Sequence, residues 1–145
     1  MAMKGRYFPI NPEKYLGNLA NIEYRSQWER ATMFWLDRNS FVEKWGSEIT
    51  IIPYQCKTDG KKHRYFMDFT IHFANGKKFL IEVKPEVQTM PPIKKNQRKL
   101  TFLKEVLTYS KNVSKWQSAR IFADKYGYTF NIWTEHQLKT LGILL

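Results

Sequence analysis

The sequence predicts one α/β domain in which helices sandwich a mixed β-sheet. Two observations carry this. Hydrophobic periodicity runs helix, three strands, helices, strand, helix along the chain. The last two of the three strands are joined by a hairpin signal, and a helical crossover then leads to a fourth strand. That order puts an antiparallel pair and a crossover-connected neighbour in one sheet. The 145 residues suit a single domain of ordinary size.

Residues 1–22 read as an N-terminal arm, with turns at Pro9, Asn11-Pro12 and Gly17-Asn18; residues 23–145 form the domain proper. Ser26-Gln27-Trp28-Glu29 is a capping box, in which hydroxyl and carboxylate each satisfy a free backbone N–H. Trp28, Ala31, Trp35 and Leu36 follow at helical spacing, to an end near Asn39. Strands are expected at 48–54, 64–73 and 78–84. Pro91-Pro92 then breaks the chain. A helix is expected over 94–110, with Leu100, Leu103, Val106 and Leu107 on one side. Ser114 caps a further helix containing Trp116, Ala119, Ile121, Phe122 and Ala123, and Gly127 closes it. Residues 128–133 alternate as a strand, and Thr134 caps a short final helix with Leu138. Trp35, Trp116 and Trp133 read as core.

Composition excludes several classes. With 43% hydrophobic and 16% aromatic residues, the chain is not disordered. No apolar run approaches the roughly 20 residues needed to cross a bilayer. Residues 1–10 hold Lys4 and Arg6 but no apolar stretch after them, so no secretory signal is expected. Cys56 is the one cysteine, which excludes a disulfide framework. Cys56 with the scattered His63, His72 and His136 is not expected to build a zinc site.

The charge points to a polyanion. The 24 Lys and Arg against 13 Asp and Glu leave a net +11. Lys57, Lys61, Lys62, His63 and Arg64 form one cluster; Lys94, Lys95, Arg98 and Lys99 form another. Both suit phosphate contacts of the sequence-independent, salt-sensitive kind. The second cluster opens a helix, where the macrodipole disfavours cations, and that conflict favours a phosphate-binding role. A merely solvated basic surface is the other reading. An anionic membrane surface fits less well, since neither cluster adjoins a greasy helical face.

The hairpin register carries the chemistry. A two-residue Asn75-Gly76 turn would mix charge into both sheet faces. A three-residue loop, Ala74-Asn75-Gly76 with Gly76 left-handed, pairs Phe73 with Lys77. Met67 then meets Val83, Phe69 meets Ile81 and Ile71 meets Phe79, and one face becomes wholly apolar. The same register sets Asp68 opposite Glu82, with Cβ atoms roughly 5 Å apart. Like charges so placed destabilise a sheet unless a hard cation lies between them. Lys84 projects from the same face as Glu82. Two acids and a lysine beside basic clusters are the chemistry of metal-assisted phosphodiester hydrolysis. A wet sheet face carrying Asp, Thr, His, Glu and Lys is the alternative.

Asp68 on one strand and Glu82-Val83-Lys84 on the next, after a helix bearing Glu29, resembles the P-D…(D/E)-x-K nuclease superfamily. Met67 stands where that motif has proline. The blocks Tyr24-Arg25-Ser26-Gln27-Trp28-Glu29-Arg30, Arg64-Tyr65-Phe66-Met67-Asp68-Phe69, Ile81-Glu82-Val83-Lys84-Pro85 and Gln88-Thr89-Met90-Pro91-Pro92 are similar to the head completion nucleases of T-even-type tailed phages. Those are related to the endonuclease subunit of Tn7-type transposases. The resemblance implies a restriction-endonuclease-like α/β/α sandwich with a central mixed four-stranded sheet. It implies a magnesium-dependent deoxyribonuclease, with manganese substituting, that has endonuclease and also exonuclease activity. Such an enzyme would act on packaged DNA during head completion and head-tail joining, in the infected host's cytoplasm or on the virion. DNA and phage head or neck proteins would be its partners, with no membrane.

Under this resemblance Asp68, Glu82 and the Val83 carbonyl hold metal. Lys84 orients water or faces the phosphate, and Glu29 adds a carboxylate that helix capping alone also explains. Lys61, Lys62, Arg64, Lys94, Lys95, Arg98 and Lys99 would contact nucleic acid, and Gln88 and Thr89 lie where substrate would pass. Two alternatives stay open: a non-enzymatic DNA-binding protein of the phage neck, and a transposase-type or junction-resolving endonuclease.

Overall fold

The computed structural model describes residues 3–145; Met1 and Ala2 of the expected arm lie outside them. Strand β1 (Gly5–Arg6) pairs antiparallel with β2 (Glu23–Tyr24). Helix α1 (Gln27–Arg38) follows, then β3 (Val42–Ser47), β4 (Ile51–Gln55), β5 (Lys62–Phe66), β6 (Phe69–Phe73) and β7 (Lys78–Val83). Helix α2 (Lys99–Tyr126) crosses to β8 (Thr129–Trp133), and α3 (Glu135–Thr140) ends the chain. The central sheet has the order β3-β6-β7-β8, antiparallel except for the parallel β7–β8 pair. This is the expected mixed four-stranded sheet in an α/β/α sandwich.

Each sheet face carries its own core. On one face Phe69, Ile71, Ile81, Trp45 and Trp133 pack with Met33 and Leu36 of α1 and Leu138 of α3. On the other, Leu80 and Phe130 pack with Trp116, Ala119 and Ala123 of α2 and with Ile52, Tyr54 and Tyr65 of the β4–β5 hairpin. Residues 3–22 lie against the first core, where Tyr7 and Ile22 are buried. They are held by the buried Asp37. Its carboxylate accepts from Tyr7 Oη at 2.7 Å, Ile10 N at 2.7 Å and Asn11 N at 3.0 Å.

Local signals place several boundaries. Ser26 Oγ caps α1 by accepting from Glu29 N at 3.2 Å. Gly127 (φ 78°) takes the left-handed cap of α2, and Thr134 with Gln137 makes a capping box on α3. The β6–β7 loop is the three-residue one. Gly76 has φ 88°, Phe73 N donates to Lys77 O at 2.9 Å, and Phe69↔Ile81 and Ile71↔Phe79 are partners.

Several expectations are corrected. The strand at 42–47 has no clean alternation, yet it forms the sheet edge beside β6. The segment expected over 48–54 pairs only with β5, in a separate hairpin. The continuous strand expected over 64–73 is two strands in two sheets, broken at Met67-Asp68. There Met67 N donates to Thr50 O at 3.0 Å and Glu48 N to Asp68 O at 3.3 Å. Tyr65 and Met67 therefore enter the second core and Phe69 and Ile71 the first, so Met67 does not meet Val83. Finally, α2 is one helix that starts at Lys99, not two that start at Lys94 and Ser114. Ser114 sits mid-helix and donates its hydroxyl to Ser110 O at 3.2 Å. Leu100, Leu103 and Leu107, expected to pack, are 63%, 51% and 47% exposed.

Candidate active site

The acid pair forms where β6 leaves the kink and β7 reaches its end. The break at Asp68 changes the expected geometry. Asp68 has no Cα partner on β7; its side chain reaches across, and Oδ2 accepts from Val83 N at 2.8 Å. Among the described residues no hydrogen bond reaches Asp68 Oδ1. Glu82 faces the second core and is 5% exposed. Its two oxygens have buried donors: Tyr65 Oη on Oε1, and Trp116 Nε1 on Oε2 at 2.7 Å. Lys84 Nζ lies 3.9 Å from Glu82 Oε2. A backbone bond from Lys84 N to Trp133 O at 3.1 Å fixes that residue beside β8.

Electrostatics ties these groups together. Burial pushes the Asp68 carboxyl up to about 8, and the charge of Glu82 adds to the rise. The Val83 N–H opposes it, Glu29 raises it further, and Lys84 lowers it. Burial and Glu82 likewise push the Tyr65 hydroxyl up, so it stays a donor. Glu29 is raised by its own burial, against the Arg25 N–H that binds its Oε1 at 3.1 Å. That bond goes to Arg25 rather than to the Ser26 N–H of the expected reciprocal box. Glu29 thus caps the helix and also adds its charge near Asp68.

The basic residues stand on the surface. Lys61, Lys62 and Arg64 are exposed on the β4–β5 hairpin. Lys94 and Lys95 are exposed ahead of α2, Arg98 is its N-cap and Lys99 its first residue. Gln88 and Thr89 belong to a 3-10 turn, Glu86–Thr89, just after β7. A cavity of about 540 Å³ lies between residues 87–97 and α2, lined by Gln88, Lys95, Lys104, Tyr109 and Asn112 among others. Asn112 is one helical turn from Trp116.

Three residues at the site were not singled out from sequence for a role there. Trp116 read as core, and both Tyr65 and Trp116 are core except for one polar atom each. A buried Tyr or Trp needs a partner for its O–H or N–H, and that was the signal. Lys115, half-buried with its ammonium 5.3 Å from the Tyr65 ring centre, feels the charges of Glu82, Lys84 and Asp68. Away from these residues, Cys56, Asp59 and His63 come together at the β4–β5 turn.

Comparison with known proteins follows the same lines. Residues 39–135 match the family described as TnsA-like endonuclease N terminal. The chain is similar to the head completion nuclease of Enterobacteria phage T4, with 43% identity over 146 aligned positions that cover 98% of this chain and 97% of that protein. No solved structure gives a significant match.

Proposed function

This chain belongs to the TnsA-like endonuclease family, and from that premise we propose that it is a DNA nuclease of phage head completion whose catalytic groups are Asp68, Glu82, Lys84 and Glu29. The observation that carries the reading is the burial of Asp68 beside Glu82: burial pushes the Asp68 carboxyl up to about 8, the charge of Glu82 adds to the rise, and the Lys84 ammonium lies 3.9 Å from Glu82. Such crowding is costly unless a cation relieves it.

The donors fit magnesium: two hard carboxylates, with the Val83 carbonyl next to Glu82 in sequence. Manganese fits the same oxygen set. When bound, the ion supplies positive charge at the reacting phosphate and acidifies its water. The residues of the chain do the rest. The Val83 N–H holds Oδ2 of Asp68 and leaves Oδ1 to bind the ion. Tyr65 and Trp116 hold Glu82 in one rotamer, with a lone pair spare on each oxygen. Lys84 donates to the attacking water or to a phosphate oxygen as charge builds there. Glu29, whose charge acts on Asp68, accepts a proton from that water. Hydrolysis adds water oxygen to phosphorus and breaks one ester P–O bond.

The basic clusters, Lys61, Lys62 and Arg64 with Lys94, Lys95, Arg98 and Lys99, hold the DNA backbone. The setting of this reaction is the host cytoplasm or the virion, with head or neck proteins alongside.

Incubation of plasmid DNA with the purified chain and Mg²⁺ or Mn²⁺ tests the reading. Wild type is expected to cut, and Asp68→Ala and Lys84→Ala are expected not to. Wild type that binds DNA but cuts under neither ion overturns it in favour of a DNA-binding neck protein. Linear, circular and four-way-junction substrates compared side by side separate end trimming from internal cutting. A preference for junctions or defined ends would favour the resolving or transposase-type reading.

A further inference from the structure

We propose that Cys56, Asp59 and His63 form a zinc-binding site that locks the β4–β5 turn, distinct from the acidic site and independent of the nuclease reading. The donor atoms of the three residues lie within 4.8 Å of one another, and His63 Nε2 is 2.8 Å from Asp59 Oδ2. In a tetrahedral zinc site, with Zn–S about 2.3 Å and Zn–N about 2.0–2.1 Å, donors stand roughly 3.3–3.8 Å apart. Side-chain rotation that narrows the widest pair and opens the His63–Asp59 contact closes the present set onto one ion.

The turn is built to present these donors. Gly60 has φ 70°, with nothing near its missing Cβ, and donates its N–H to Cys56 O at 2.8 Å. Cys56 N donates to Lys61 O at 2.9 Å, and Lys61 N to Asp59 Oδ1 at 2.9 Å. Cys56 Sγ is held in the turn by Thr58 Oγ1 at 2.9 Å. The His63 ring stacks on Tyr54, its cross-strand partner, with centres 5.6 Å apart. Cys56 is buried, while Asp59 and His63 open to solvent and give an ion its way in.

The chemistry selects the ion. A thiolate with an imidazole suits zinc; magnesium takes oxygen and octahedral geometry. Thiolate and carboxylate together cancel the two charges of the ion, so the loaded site is neutral beside Lys57, Lys61 and Lys62. The site fastens the strand that carries Tyr65, two residues past His63, and so the donor on Glu82.

The test is a titration of the full chain with Co²⁺, read by thiolate-to-cobalt charge transfer in the near ultraviolet. One equivalent is expected to produce the band, Zn²⁺ to abolish it and Mg²⁺ to leave it. Asp68→Asn is expected to retain the band, whereas Cys56→Ser and His63→Gln lose it. Zn²⁺ is expected to raise the melting temperature of wild type but not of His63→Gln. Cys56 is buried, so its variant alone could fail through misfolding; His63 is partly exposed, and its variant keeps the test decisive. No thiolate band in wild type, or an undiminished band in His63→Gln, overturns the proposal.

Discussion

Trp116 Nε1 donates to Glu82 Oε2 across 2.7 Å in the second core, so α2 is fastened to the acid pair by a single indole. Replacement by Phe keeps most of the ring and removes the donor. Loss of a hydrogen bond to a charged group is expected to cost about 1.5–3 kcal/mol in denaturant unfolding. Groups that hold a ligand in place typically contribute 10–100-fold, and Trp116→Phe is expected to slow plasmid cleavage by about that factor. An unchanged rate would mean that Tyr65 alone orients Glu82.

Glu29 has two roles that mutation separates. Ser26→Ala removes the cap acceptor and is expected to cost about 1 kcal/mol of stability, with the cleavage rate per folded molecule unchanged. Glu29→Gln keeps an oxygen for the Arg25 N–H and removes the charge. It is expected to leave stability nearly unchanged and to lower cleavage by about 10²–10⁴-fold. Equal cleavage by Glu29→Gln and wild type would leave Glu29 as a helix cap only.

The metal-free protein is expected to lose stability as pH rises from about 4 to about 8. Burial and the charge of Glu82 raise Asp68 in the folded state, so the folded chain binds a proton that the unfolded chain has released. Stability from this group is fully present below the unfolded pKa and is lost as pH passes the folded one. Thermal melts across this range check it, and Asp68→Asn should flatten the slope.

Asp37 gives the opposite sign. Burial pushes its carboxyl up, but donors from Tyr7, Ile10 and Asn11 outweigh that and hold it below the usual range. Its contribution is present above the unfolded pKa and lost as pH falls through the folded one. Asp37→Asn is expected to cost about 2–4 kcal/mol near neutral pH, to weaken the acid-side loss, and to release the segment before α1 to protease. Cleavage by the molecules that remain folded should be unchanged.

Neutralising Lys94, Lys95, Arg98 and Lys99 in a non-cutting Asp68→Asn background is expected to weaken duplex binding on every sequence alike. For each phosphate that no longer meets a cation, the slope of log affinity against log salt should fall by about 0.9. Filter binding at several salt concentrations reads this directly, and an unchanged slope would leave these residues as solvated surface.

Much of the site was legible because its chemistry is local in the chain. Phe69, Ile71, Phe79 and Ile81 make one face apolar in a single hairpin register, and that register brings the start of β6, next to Asp68, beside the end of β7, which carries Glu82. The direct Asp68–Glu82 pairing was not legible correctly. Alternation over 64–73 looks the same whether the strand continues or changes sheet at Met67, since each sheet buries alternate residues. The stripe of Leu100, Leu103 and Leu107 misled for the converse reason: helical spacing states which residues share a face, not whether anything covers it.

The sequence by itself determined the caps at Ser26, Gly127 and Thr134, the loop at Gly76, the mixed sheet and the nearness of Asp68 to Glu82. These follow from backbone conformation and from periodicities that a few neighbouring residues express. Only the tertiary structure decided that Val42–Ser47 is the sheet edge, that residues 3–22 are held on Asp37, and that Tyr65 and Trp116 secure Glu82 from 17 and 34 positions away. Such partners are chosen by which buried polar groups must be satisfied once the layers close, and no local pattern encodes that choice.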